Sequence, residues 1–356
     1  MQAYLDCRRN KRGSNSALAF ELHLERNLMQ LHTELNSGTY QPGPSICFVV
    51  THPKPREVWA ADFRDRIVHH LLYNHIGKAI ERTFIADSCA CIEGRGTLYA
   101  AKRLDAKVRS ITHNWRRPAH YIKCDLANFF VSIDKRVLEQ QLMAHIAEQP
   151  WQQLALQILW HDPRTNYQLR SSVRLRNRVP QHKRLTTQPE YLGLPIGNLS
   201  SQFFANIYLN ALDQFAKHQL RAKHYIRYVD DFVLLHESPQ QLNAWHGQIE
   251  AFLAERLHAR LNPSKTILQP VARGIDFVGQ VIKPWRRTTR RKTVDNAIQA
   301  ATTAPITALR ETANSYFGLM RQATHSHTDR KRLAKALLMR GKSVNAGLTK
   351  IYKGSA

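Results

Sequence analysis

The tetrapeptide Tyr228-Val229-Asp230-Asp231 sits between His224-Tyr225-Ile226-Arg227 and Phe232-Val233-Leu234-Leu235. The flanks are rich in aromatic and β-branched residues, so the segment reads as two strands joined by a tight turn. That turn carries two adjacent carboxylates and has neither the glycine nor the asparagine that usually eases such a connection. Like charges side by side repel, and a cation between them removes the conflict. Carboxylate oxygens suit Mg2+, whose shell substrate phosphates complete. A solvated Asp-Asp hairpin tip is the competing reading of the tetrapeptide taken alone.

A second acid upstream changes the balance. His120-Tyr121-Ile122-Lys123-Cys124-Asp125 reads as a short buried strand ending in a carboxylate, with Leu126-Ala127-Asn128-Phe129-Phe130 following it. Two-metal phosphoryl transfer needs carboxylates from separate strands to hold cations about 3.5–4 Å apart. One acid closing a strand and a pair on a hairpin meet that requirement. On these residues the chain resembles the reverse transcriptases: Asp125 with an aromatic five positions later matches their first catalytic motif, and Tyr228 to Asp231 their second.

The resemblance runs from about Val58 to Gly279. Ala61 to His70 looks like the first fingers motif, and Phe84 to Thr97 like the second. Leu194-Pro195-Ile196-Gly197-Asn198-Leu199-Ser200-Ser201-Gln202 occupies the place of the motif that supports the templating base and incoming nucleotide. Leu261 to Thr266 resembles the motif with a lysine near the triphosphate, and Gly274 to Gly279 the primer grip. Most bacterial relatives carry Gln-Gly where this chain has Ile196-Gly197. Ile-Gly-Asn followed by Ser-Ser-Gln, together with Arg64-Asp65-Arg66-Ile67-Val68-His69-His70, is similar to the reverse transcriptases of diversity-generating retroelements.

The resemblance implies an α+β right-hand polymerase with three parts: an N-terminal segment (1–57), a fingers and palm domain (58–285) and a basic helical thumb (286–356). It implies two Mg2+ ions, with Mn2+ as a substitute, held by Asp125, Asp230, Asp231 and the carbonyl of Leu126. Phe130 matches the steric gate against a ribose hydroxyl, and Phe129 beside it reads as core. If the two alternate on a strand, only one faces the site. Lys265 stands where a lysine neutralises or protonates the leaving pyrophosphate. Arg64, Arg66 and Arg95 are candidates for gripping the triphosphate, since guanidinium forks match phosphate oxygens. At most two of them are expected to do so, the rest being structural ion pairs. Ile196, Gly197 and Asn198 support the nucleotide, and Phe277, Val278 and Gly279 the primer. An apolar Ile196 provides shape without the hydrogen bond of an amide, which bears on fidelity. The branch implies misincorporation opposite template adenine.

A formal net charge of +25 over 356 residues makes a polyanion the expected partner. The implied partners are structured template RNA, the RNA/cDNA duplex, dNTPs and a small basic helical accessory protein that forms an oligomer. Five cysteines, with no leader read ahead of them, fit reduced thiols in a cytoplasmic compartment, and the resemblance implies a bacterial or phage-encoded protein. Cys89-Ala90-Cys91 lacks the spacing of a zinc site, and no apolar run approaches a membrane span.

Periodicity predicts helices over 16–36, 66–83, 97–112, 134–148 and 202–220, and a helical tail from about 294. Proline-rich 42–55 reads as a loop or strand edge. After Asp162 a basic insertion holds Arg164, Arg170, Arg174, Arg176, Arg178, Lys183 and Arg184, with no acid until Glu190. It reads equally as a solvated mobile loop or as an RNA contact. Two other functional readings stand beside the mutagenic enzyme: another bacterial reverse transcriptase (intron, retron or phage-defence type), and a catalytically silent RNA-binding scaffold. The three aspartates argue against the scaffold.

Overall fold

The computed structural model describes residues 1–9, 11–51 and 54–352. In chain order its strands are β1 (Ser45–Val50), β2 (Arg56–Ala60), β3 (His120–Asp125), β4 (Tyr167–Leu169), β5 (Tyr225–Tyr228), β6 (Asp231–His236), β7 (Ile267–Pro270), β8 (Ile275–Phe277), β9 (Gln280–Lys283) and β10 (Arg286–Thr289). Three sheets, ordered β2-β1-β4, β5-β6-β3-β7 and β10-β9-β8, stand among helices, so the class is α+β. The chain forms two compact units from non-contiguous segments. Unit one takes Met1–Ala86, Asp125–Arg221 and Gly247–Ser264; unit two takes Asp87–Cys124, Ala222–His246 and the chain from Lys265 onward.

In unit one the proline-rich stretch contains a central strand, contrary to the loop or edge expected from it. β1 pairs antiparallel with β2, from Ile46↔Ala60 to Val50↔Arg56, and parallel with β4. Its prolines bracket the strand in sequence rather than interrupt it, so no ladder donor is lost. His52 and Pro53, within the same stretch, lie outside the described residues. The helix expected over 16–36 is two helices, Asn15–Glu21 and Leu24–Asn36, because His23 leaves the helical region at φ −131° and ψ 47°. Helix Phe63–Leu72 passes through a π-helical turn, Tyr73–Gly77, into Lys78–Glu81. Helix Lys135–His145 ends before a separate helix, Gln149–Trp160, that periodicity does not resolve.

The basic insertion is an ordered excursion rather than a bare loop. It supplies β4 and a short helix, Val173–Arg176, capped by the Ser172 hydroxyl, which accepts from Leu175 N. Glu57, 3% exposed, ties its two arms together: the carboxylate accepts from Arg176 Nε at 3.2 Å and from Leu185 N at 3.0 Å. Arg164 pairs with Asp162 at 2.7 Å and donates to the carbonyls of Leu185 and Gln188 at 3.2 and 2.6 Å.

In unit two, helix Thr97–Ile111 packs Leu104, Val108 and Ile111 against Tyr121, Ile226, Val233 and Leu235 of the sheet and against Ile275, Phe277 and Ile282 of the β8–β9 hairpin. A second core joins helices Arg291–Thr303, Ile306–Met320 and His327–Leu338 through Val294, Leu309, Phe317, Leu333 and Leu337. All five cysteines are free thiols, Cys91 exposed and the others buried. No helix among the described residues is long and apolar enough to cross a membrane.

Glu57→Gln keeps the side-chain shape but removes the charge that holds Arg176. Thermal or denaturant unfolding should show a loss of about 1–3 kcal/mol, with faster amide hydrogen exchange confined to 164–190. Unaltered exchange there would show that the excursion does not depend on this carboxylate.

Candidate active site

Strands β5 and β6 pair up to Tyr228↔Asp231, which leaves a two-residue loop, Val229-Asp230. Val229 sits at φ 56°. A β-branched residue in the left-handed region is an outlier, with a cost of order 1–3 kcal/mol, and persists only where its surroundings over-determine it. Arg227 supplies that constraint. Its side chain is 1% exposed; Nη1 donates to the Val229 carbonyl and Nη2 to Ser88 Oγ, both at 3.0 Å. The backbone locks the same segment, with Arg227 N on Asp87 O and Cys89 N on Arg227 O, each at 3.0 Å. Asp87 in turn accepts from Arg103 Nε and Lys107 Nζ at 2.8 Å, which anchors the loop to helix Thr97–Ile111. Arg95, a candidate phosphate grip, donates Nη1 to the Ser88 carbonyl at 2.7 Å and so buttresses this loop.

Asp230 and Asp231 are half-buried. Lys123 Nζ lies 3.6 Å from Asp231 Oδ2 and donates to the Asp276 carbonyl at 3.1 Å. Strand β3, which carries Lys123 and ends in Asp125, is the sheet neighbour of β6. The period of two puts Lys123 and Asp125 on one face of β3. Lys265 is exposed at the end of the turn Pro263–Lys265, two residues before β7. Val278 and Gly279 form the β8–β9 loop at φ 45° and 84°, the paired positive angles of a primed turn, over a fully buried Phe277.

The remaining candidates lie in unit one. Asp125 is 5% exposed, and its carbonyl accepts from Asn262 N at 2.8 Å. Leu126, also buried, bridges to Leu261. Asn128, at φ 52°, turns the chain into a short helix, Phe129–Ser132, so Phe129 and Phe130 are separated by helical geometry rather than strand alternation. Phe129 is core, Phe130 half-buried, with ring centroids 5.3 Å apart.

Ile196-Gly197-Asn198 forms a strap on β2. The Ile196 carbonyl accepts from Trp59 N at 2.7 Å, and Asn198 Oδ1 from Ala61 N at 3.0 Å. Between them Gly197, at φ 130°, approaches so closely that a Cβ would meet Val58 Cγ1 at 2.8 Å and Trp59 O at 2.9 Å. Arg64 is engaged by Glu34 and Asp65, and Arg66 Nε donates to the Ala61 carbonyl at 2.8 Å. These are the structural roles that the sequence left open for some of the arginines.

Arg227, Lys123 and Asp134 were not singled out by sequence reasoning. A charged residue inside an otherwise apolar strand beside the Asp-Asp loop was the available signal for Arg227. Asp134 is fully buried; burial pushes its carboxyl up, but hydrogen bonds from Arg136 and His258 outweigh this and hold it at about 2. Its contribution to stability is therefore present above the ordinary carboxylate range and lost only as pH falls through about 2.

Among the described residues no group of three or more His, Cys, Asp or Glu side chains is placed to hold a metal ion. Within each unit the donor chemistry suits a hard divalent cation: Asp230 and Asp231 offer carboxylate oxygens in unit two, where Asp231 already faces one cation in Lys123, and Asp125 offers them in unit one. Arg227→Ala removes both bonds beneath the turn. Unfolding should report a loss of about 1–3 kcal/mol, and primer extension should slow, with partial rescue by Arg227→Lys. Wild-type stability and rate in the alanine variant would mean that the turn supports itself.

A model of the reverse transcriptase (RNA-dependent DNA polymerase) family matches residues 53–282. No curated protein matches the chain. Among solved structures, telomerase from Candida albicans in complex with a TWJ fragment of telomeric RNA is 11% identical, over 85% of this chain and 60% of that one, with a TM-score of 0.50. Apo telomerase from Candida tropicalis, truncated from its C-terminal domain, is 12% identical over 70% and 55%, with a TM-score of 0.52. The chain thus spans less than two thirds of either telomerase chain, and at these identities the likeness is one of fold. The family match covers more than half of the sequence and includes Asp125 and the Asp230-Asp231 turn: the chain belongs to the reverse transcriptases, a family of RNA-directed DNA polymerases and hence of nucleotidyltransferases.

Proposed function

We propose that this chain is the RNA-directed DNA polymerase of a diversity-generating retroelement, copying a structured template RNA into cDNA with errors concentrated at adenines. The observation that carries the polymerase reading is the β5–β6 turn, where a valine at φ 56° and a buried arginine present two adjacent carboxylates. Such an arrangement costs stability, and a fold retains it where the acids have work to do.

Asp125, Asp230 and Asp231, with the Leu126 carbonyl, would hold two Mg2+ ions, which lower the pKa of a primer hydroxyl and neutralise charge on the transferring phosphoryl group. The chain's own residues do the positioning. Arg227 fixes the turn, so the acids need little reorganisation during the reaction. Lys123 offsets the repulsion between neighbouring acids at Asp231. Phe130, half-buried beside the core ring of Phe129, is the side chain to exclude a 2′-hydroxyl. Lys265, exposed ahead of β7, brings positive charge for the leaving pyrophosphate. The Phe277-Val278-Gly279 hairpin is assigned to the primer strand.

The mutagenic part rests on Ile196. The strap is anchored through backbone and Asn198, so the Ile196 side chain contributes only shape. Where a more accurate relative carries an amide, this chain has no donor or acceptor to penalise a mismatch. RNA as a partner accords with the Candida albicans structure, a complex with a TWJ fragment of telomeric RNA. The small basic accessory protein belongs to the same reading.

Asp230→Asn should reduce primer extension by more than about tenfold, a barrier increase above ~1.4 kcal/mol, with RNA affinity in filter binding preserved. A variant that extends at near wild-type rate would sink the metal assignment. Ile196→Gln should lower errors opposite adenine more than opposite other bases. One added hydrogen bond, roughly 0.5–1.5 kcal/mol, allows about a two- to tenfold effect, with little loss of extension because the strap's anchors are untouched. Sequencing cDNA made from one defined RNA by both enzymes measures this. A wild type without excess errors at adenines would remove the retroelement reading and leave the family unaffected.

A further inference from the structure

The excursion over 164–184 holds more charge than its fold uses. Three of its basic side chains face inward: Arg164 on Asp162 at 2.7 Å, Arg176 on Glu57 at 3.2 Å, and Arg184 Nε on the Val179 carbonyl at 2.8 Å. These build the excursion. Arg170, Arg174, Arg178 and Lys183 are exposed instead, and their side chains make no hydrogen bond or ion pair among the described residues. No acid occurs between Pro163 and Pro189 to compensate them. A merely solvated surface usually intersperses both signs, whereas here the outward charges repel one another and do nothing for the fold.

We propose that Arg170, Arg174, Arg178 and Lys183 form an RNA-binding face on unit one, additional to the residues assigned to catalysis, that grips the phosphate backbone of structured RNA. The proposal rests on the polymerase reading only in taking RNA as the polyanion. Three of the four cations are guanidinium forks, which match phosphate oxygens. Exposed Asn177, Gln181 and His182 lie between them in sequence and offer further hydrogen-bonding groups for phosphate and sugar. Other partners fit less well. Val173 is the one exposed large aliphatic side chain of 164–190 among the described residues, too little to enter a bilayer or to form the apolar centre of a protein interface. The face also borders β4, an edge strand of its sheet, and the inward staples hold it in shape.

The test is the full-length variant R170Q/R174Q/R178Q/K183Q, which leaves every inward staple intact. Its probes are a long RNA stem–loop and a short primer–template. Each phosphate that goes unneutralised should flatten the log–log salt dependence by about 0.7–0.9, so the quadruple variant should lose about 3 from the slope and bind the stem–loop at least about tenfold more weakly. The melting temperature, and kcat and the dNTP KM on the short primer–template, should stay at wild-type values. Should the quadruple variant fail to fold, each single substitution should still take about 0.7 from the slope. Unchanged slope and affinity on the stem–loop would overturn the proposal, as would a raised dNTP KM, which would place these cations in the polymerase site. A flattened slope in an enzyme that extends no primer would support the face while removing the polymerase reading. An active enzyme with an unaltered slope would do the reverse.

Discussion

A guanidinium buried in the middle of β5 organises unit two. Removing a charge from water is costly unless its donors are satisfied, and Arg227 is satisfied by a hydroxyl at Ser88 and a carbonyl at Val229. Those partners tie the Asp230-Asp231 turn to the loop after Asp87. Asp87, itself buried, is held by Arg103 and Lys107 of helix Thr97–Ile111. The constraint therefore runs from helix to loop to strand to turn, and a valine that would relax on its own stays in the left-handed region. Rigid support of this kind lets a site hold its charges in place before substrate arrives.

Unit one uses β2 in a comparable way. Glu57 holds both arms of the basic excursion, Trp59 N takes the Ile196 carbonyl, and Ala61, just past the strand, donates to Asn198. A five-residue strand thus registers two segments that are far away in sequence. Gly197 is what makes the close approach possible, since a side chain there would collide with Val58 and the Trp59 carbonyl. Because the anchors are backbone atoms and an asparagine, the identity of residue 196 is separated from the stability of the strap.

Much of the fold was legible in the chain, and the misses have physical causes. Helices with clear 3.6 periodicity, such as Thr97–Ile111, were found within a residue. The long helix begins at Leu199, ahead of the predicted 202; Asn198 at its N-cap makes no side-chain cap and spends its amide oxygen on Ala61 N. β1 was missed because prolines on either side dominate a local reading, while its pairing with β2 and β4 is non-local. The break at His23 and the helix that separates Phe129 from Phe130 follow from single backbone angles, which periodicity does not report.

The sequence by itself set out the candidate residues and their order: adjacency at Asp230-Asp231, the spacing of Phe130 from Asp125, and the Ile196-Gly197-Asn198 run are local facts. Tertiary structure alone decided how the arginines are used. Arg64 finds Glu34 across 30 positions, and Arg227 finds Ser88 across 139. Arg66 and Arg95 each take a backbone carbonyl, and the excursion divides its cations between staples and an open face. A guanidinium looks the same in sequence whether it grips a phosphate or closes a buried network. Its partner is set by where the folded chain brings an acceptor within hydrogen-bonding reach, and no spacing rule along the chain encodes that distance.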